Sequence, residues 1–100
     1  MKKILLVCNA GMSTSMLVQK MNNVAKEKGI DVEIKAIPST ELAQNWNSAN
    51  VILLGPQIGF MKDNVKDTVQ HKINVEVISP VDYGRMNAEK VLADAIDLMG

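Results

Sequence analysis

The chain is expected to fold as an α/β domain, an open four-stranded parallel sheet with helices on both faces. Three observations predict this. Ile4-Leu5-Leu6-Val7 and Val51-Ile52-Leu53-Leu54 are unbroken apolar runs, the pattern of strands buried on both sides. Between such runs lie longer stretches whose apolar residues recur at helical spacing. Gly29, Pro38, Gly55-Pro56 and Pro80 punctuate the boundaries.

Taken in order, Ile4 to Val7 form the first strand. From Thr14 to Lys28 the pattern becomes helical, with Leu17, Met21, Val24 and Ala25 on one stripe and Gly29 as the C-terminal stop. Val32 to Ile37 reads as the second strand, ended by Pro38. Ser39 to Asn47 suits a short helix with Leu42 and Trp46 four residues apart. Val51 to Leu54 is the third strand. Met61, Val65 and Val69 mark a helix, Val75 to Ile78 a fourth strand, and a last helix runs from Pro80 to Met99. Strict alternation of strand and helix predicts parallel pairing. The most economical doubly wound order is 2-1-3-4, which opens a crevice at the carboxyl ends of the first and third strands. Cys8 and Gly55-Pro56-Gln57 should meet there.

The 100 residues show no repeat, linker or low-complexity segment, so residues 1–100 are expected to be a single domain. Hydrophobic residues make up 47% of the chain, enough to bury a core without metal or disulfides. Cys8 is the only cysteine, which argues for a reducing compartment. The formal charge is zero with no basic stripe, so nucleic acid is not expected as a partner. The apolar run after Lys2-Lys3 is too short for a signal peptide, and no stretch nears the ~20 apolar residues that span a bilayer. A cytoplasmic protein is the expectation.

The segment Cys8-Asn9-Ala10-Gly11-Met12-Ser13-Thr14-Ser15 joins the first strand to the first helix. Gly11 can adopt backbone angles that turn successive N–H groups inward. Ser13, Thr14 and Ser15 are good helix caps with hydroxyls to offer an oxyanion. The helix brings its unpaired N–H groups and positive dipole end to the same place, so Asn9 to Ser15 form a candidate phosphate-binding loop. A Cys8 thiolate there is a competent nucleophile toward phosphorus. Its phosphorylated product would be a dianion held by the same amides. A lone cysteine ending a buried strand is more often an inert core residue; the small, hydroxyl-rich turn around this one favours chemistry, while leaving several phosphate-handling activities open.

The run from Cys8 to Leu17 resembles the active-site segment of enzyme IIB domains of the bacterial sugar phosphotransferase system, in the lactose/cellobiose (chitobiose) class. Val51 to Ile58 and Val77-Ile78 with Asp82-Tyr83-Gly84 match further segments, so the resemblance spans essentially the whole chain. It implies a phosphoryl carrier in which Cys8 accepts phosphate from a phosphohistidine of the IIA partner. The carrier then passes it to a sugar, such as the β-linked disaccharides cellobiose or chitobiose, during uptake through the membrane partner IIC. The protein would visit the inner face of the membrane transiently. No cofactor is implied.

The fold and loop are also similar to those of low-molecular-weight tyrosine phosphatases, which carry an arginine six positions after the cysteine. Here Thr14 occupies that position, one hydroxyl where arginine would supply a bidentate charged fork. That disfavours a phosphatase, and the absence of a second cysteine disfavours a thiol-relay arsenate reductase. A non-catalytic phosphate-sensing module is the remaining rival.

Asp82 and Tyr83 follow the fourth strand near where such phosphatases carry a general acid, and Gln57 sits at the crevice; all three are possible accessory residues, though each also suits a turn or cap. His71, the sole histidine, reads as a solvated residue closing a helix. No cluster suggests a metal. Met12 and Met16 flank the loop and could offer an adaptable surface to two partners, with Met12 the favoured contact, whereas Met21, Met61 and Met99 fall on core stripes.

Overall fold

Ile4, Leu5, Leu6 and Val7 are wholly buried, which a strand achieves only when it has neighbours on both edges and layers on both faces. The computed structural model, which describes residues 1–8 and 14–99, places them in this way. Four strands, β1 (Lys2–Cys8), β2 (Val32–Pro38), β3 (Val51–Leu54) and β4 (Asn74–Val77), form one sheet in the order β2-β1-β3-β4. Every pairing is parallel, with Val7 opposite Ile37 on one side and Leu54 on the other.

Alternation along the strands sorts the core into two layers. Ile4, Leu6, Ile34, Val51 and Leu53 pack with Leu17, Met21 and Ala25 of α1 (Thr14–Lys28) and with Val91, Leu92 and Ala95 of a C-terminal helix. Leu5, Val7, Ile37, Ile52, Leu54 and Val75 face the opposite layer, with Leu42, Ile58, Val65 and Val69. That second layer consists of α2 (Leu42–Asn45), flanked by 3-10 turns at Ser39–Glu41 and Trp46–Ser48, and α3 (Lys62–Thr68), entered through a 3-10 segment at Pro56–Met61. The doubly wound order 2-1-3-4 follows from these helices covering both faces.

α1 ends where Gly29 takes a φ of +69°. Ile30 N–H reaches the Ala25 carbonyl at 2.9 Å and Gly29 N–H the Lys26 carbonyl at 3.3 Å, so two carbonyls of the last turn find donors. Lys26 and Lys28 sit in that turn and no acidic residue in the first. The positive end of the helix, at Thr14, is therefore left without a carboxylate of its own first turn to offset it.

The single helix expected from Pro80 to Met99 is two: α4 (Pro80–Gly84) and α5 (Ala88–Met99). Met86 adopts a φ of +50°, which breaks the helical path. Asn87 then caps the new start, its Oδ1 accepting from Lys90 N–H at 3.4 Å. The expected helix at Ser39 to Asn47 is correspondingly shorter, with only one α-turn between tighter 3-10 ends.

Candidate functional site

The strands meet at their carboxyl ends because backbone bonds stitch them there. Gly55 N–H donates to the Val7 carbonyl at 3.1 Å, and Ile78 N–H to the Leu54 carbonyl at 2.9 Å. Cys8 closes β1 at this edge, opposite Pro38, and is half-buried. By alternation it continues the row of Ile4 and Leu6, the side covered by α1 and α5. Its thiol points to the Ile37 carbonyl, with Sγ to O at 3.7 Å. Proline at position 38 has no N–H to give to a ladder.

Of the expected phosphate loop, Asn9, Ala10, Gly11, Met12 and Ser13 lie outside the described residues. Thr14 and Ser15 open α1. Ser15 is exposed, whereas Thr14 is 1% exposed, and its Oγ1 lies 3.2 Å from the Tyr83 hydroxyl. Thr14 therefore has a fixed partner from the opposite end of the sequence, and Tyr83 of α4 is brought to the start of α1. Gln57 is exposed on the 3-10 segment after β3, where buried Ile58 anchors the turn.

Asp82, the neighbour of Tyr83, lies elsewhere. Its side chain is 18% exposed with Oδ2 4.0 Å from Lys90 Nζ. It lines a cavity of about 360 Å³ between β4 and α5, together with Glu76, Asp94 and Asp97 over a floor that includes Leu53 and Val91. Cys8 and Thr14 are not among the described residues lining that cavity. Lys90 donates to Asp94 at 2.8 Å, and this bond and charge, with smaller contributions from Asp82 and Asp97, hold its ammonium above the ordinary lysine range. His71 is exposed beside Asp67, Nε2 to Oδ1 3.1 Å, in the turn after α3. Among the described residues no group of three or more His, Cys, Asp or Glu is arranged to hold a metal ion, and no helix is long and apolar enough to cross a membrane.

Among the described residues, three large apolar side chains are exposed on the connections that follow the carboxyl ends of the strands. Met16 (54%) stands on the first turn of α1, Phe60 (82%) on the segment after β3 and Val81 (59%) on α4 after β4. Of these, Met16 is the one that the sequence suggests as a contact, beside the favoured Met12, which lies outside the described residues. Phe60 and Val81 carry no signal of their own, since an isolated apolar residue between helical positions looks the same whether it faces the core or solvent. The Ile37 carbonyl beside Cys8 was likewise invisible, being a backbone atom supplied by another strand.

Known proteins share this sequence pattern and fold. Residues 3–94 match the family described as the PTS system, lactose/cellobiose specific IIB subunit. The oligo-beta-mannoside-specific EIIB component of Bacillus subtilis (strain 168) is 41% identical over 99% of this chain and 97% of its own length. The galactose-specific EIIB component of Lactococcus lactis subsp. cremoris is 42% identical, and the cellobiose-specific EIIB component of Lactococcus lactis subsp. lactis 41%, each over 98% of this chain and 96% of the relative. The solution structure of a cellobiose-specific IIB component from Borrelia burgdorferi superimposes with a TM-score of 0.82 at 46% identity, covering 98% of this chain and 91% of that one. The lactose-specific IIB domain from Streptococcus pneumoniae has a TM-score of 0.87 at 16% identity, covering 97% and 96%, and so shares the fold.

Proposed function

The chain belongs to the lactose/cellobiose-specific IIB family of the phosphotransferase system, and on that premise we propose that Cys8 is the residue that carries the phosphoryl group. The observation that supports this most is the position of Cys8. It ends a buried central strand six residues before a 15-residue helix whose first turn contains no acid. Phosphorylated cysteine would lie where helix dipole and loop amides favour a dianion.

The donor is a phosphohistidine on IIA. The Cys8 thiolate attacks phosphorus in line, the S–P bond forms as the P–N bond breaks, and the imidazole leaves with the electron pair. The amides between Asn9 and Ser15 neutralise the equatorial oxygens, which supplies most of the catalysis such a transfer needs. In the second step a sugar hydroxyl held by IIC attacks. The O–P bond forms, the S–P bond breaks, and the thiolate is restored. The hydroxyl proton passes to a base on the membrane partner.

Thr14 favours a carrier over a hydrolase. It is buried and engaged with Tyr83, and it provides no charged fork to stabilise attack by water. The exposed trio Met16, Phe60 and Val81 suits transient docking of two successive protein partners. The transported sugar is proposed to be a β-linked disaccharide such as cellobiose or chitobiose, selected by IIC. Three relatives at 41–42% identity are named for three different sugars, so overall similarity of this component does not separate them.

Incubation with phosphohistidine-charged IIA, followed by phosphate mapping under conditions that preserve thiophosphate esters, tests the relay. Label is expected on Cys8 and none on the Cys8→Ser protein. Label on any other residue, or full sugar phosphorylation by Cys8→Ser, contradicts it.

A further inference from the structure

Thr14 and Tyr83 are 69 positions apart, yet their hydroxyls stand 3.2 Å from one another. Thr14 opens α1, so its χ1 has more than one staggered well open to it. A partner supplied from outside the helix selects one of them. Tyr83 is well built for this. Its N–H donates to the Ser79 carbonyl at 2.9 Å, its own carbonyl accepts from Met86 N–H at 3.1 Å, and its ring packs on the core layer shared by α1 and α5. With only two side-chain torsions, a tyrosine so anchored delivers its hydroxyl at little entropic cost.

The residue it reaches is well placed to matter. Thr14 is 1% exposed, stands six positions after Cys8 and is the first residue of α1. We infer that Tyr83 is a positioning residue for phosphoryl transfer, its hydroxyl fixing the Thr14 side chain where the loop after Cys8 passes into the helix. Tyr83 acts through Thr14 and does not itself touch the reacting atoms. This rests on the relay reading of Cys8. Its energetic scale is that of one neutral hydrogen bond, which corresponds to a change of about fivefold in rate. Because the docking surface is unaltered, the loss belongs in kcat and not in KM.

The test is a set of variants charged by phosphorylated IIA, with rates at varied donor concentration and label mapped to Cys8. Tyr83→Phe keeps the ring and removes the hydroxyl. It is expected to lower the limiting transfer rate about fivefold at unchanged KM, and to lower the melting temperature by several degrees because the buried Thr14 hydroxyl loses its partner. Thr14→Ser keeps a hydroxyl at position 14, so Tyr83→Phe should still slow that protein. Thr14→Val removes the hydroxyl, and there Tyr83→Phe should have no further effect. An unchanged rate in Tyr83→Phe, or an equal loss in the Thr14→Val background, overturns the positioning role while leaving the relay intact. Absence of label on Cys8 in the unmodified protein refutes the relay, and the role of Tyr83 with it.

Discussion

Replacing Gly29 by alanine should destabilise the protein by about 1 kcal/mol, for a reason confined to the backbone. Gly29 has a φ of +69°, and a Cβ built there meets nothing within 4 Å. No steric clash with neighbours contributes, so the cost is that of holding an L-residue in the left-handed region, about 1–2 kcal/mol. Against this, alanine restricts the unfolded chain and returns about 0.4–1 kcal/mol. The net loss of about 1 kcal/mol corresponds to a fall of about 4–8 °C in melting temperature for a domain of this size. Thermal unfolding followed by circular dichroism, with urea titration as a second measure, is the assay. Gly29→Asn should lose less, because asparagine tolerates this conformation better. Phosphoryl acceptance well below the transition should be unaffected, since Gly29 is just past the end of α1 and Thr14 at its start, about 20 Å apart along the helix. An unchanged or higher melting temperature would show that the positive φ is not a constraint. A fall beyond about 15 °C would mean that the added methyl has a clash to resolve, against the open space found.

Other outcomes follow from the same geometry. Leu54→Ala, at a wholly buried position beside Val7, should cost about 2–5 kcal/mol in urea unfolding; a loss under about 1 kcal/mol would contradict the tight packing of that layer. The Lys90 ammonium should titrate above its ordinary value of 10.5, and Asp94→Asn should bring it back down, as followed by NMR at the lysine side chain. With the folded value raised, the favourable interaction is fully present below the unfolded pKa and disappears as pH rises through the folded one. The pair is exposed, so added salt should diminish the shift, and a shift insensitive to both salt and Asp94→Asn would refute this origin.

The strand-helix order was legible because the chain repeats one physical signal. Ile4 to Val7 and Val51 to Leu54 are short β-branched and leucine runs with no polar alternation, bounded by turn residues, the pattern of strands buried on both faces. Gly29, Pro38 and Gly55-Pro56 stop elements by rules that depend on the residue alone. The break between Gly84 and Ala88 was not legible. It depends on Met86, a residue with no special preference for it, accepting a left-handed φ, with the turn closed by bonds from Asn87 N–H to the Asp82 carbonyl and from Ala88 N–H to the Met86 carbonyl.

The same division runs through the site. Local sequence sufficed to single out Cys8 as the candidate, because strand end, small and hydroxyl-bearing residues and helix start all fall within a few positions. It also sufficed to show Thr14 where a phosphatase would need arginine. Only tertiary structure decided what surrounds them. After β4 the chain packs back onto the layer that holds α1, which brings Tyr83 to Thr14 and turns its neighbour Asp82 toward Lys90 and the cavity beside α5. Adjacent residues on a helix point about 100° apart, so two side chains side by side in sequence can serve different surfaces. Which one reaches Thr14 is set by how α4 packs, and no local pattern records that.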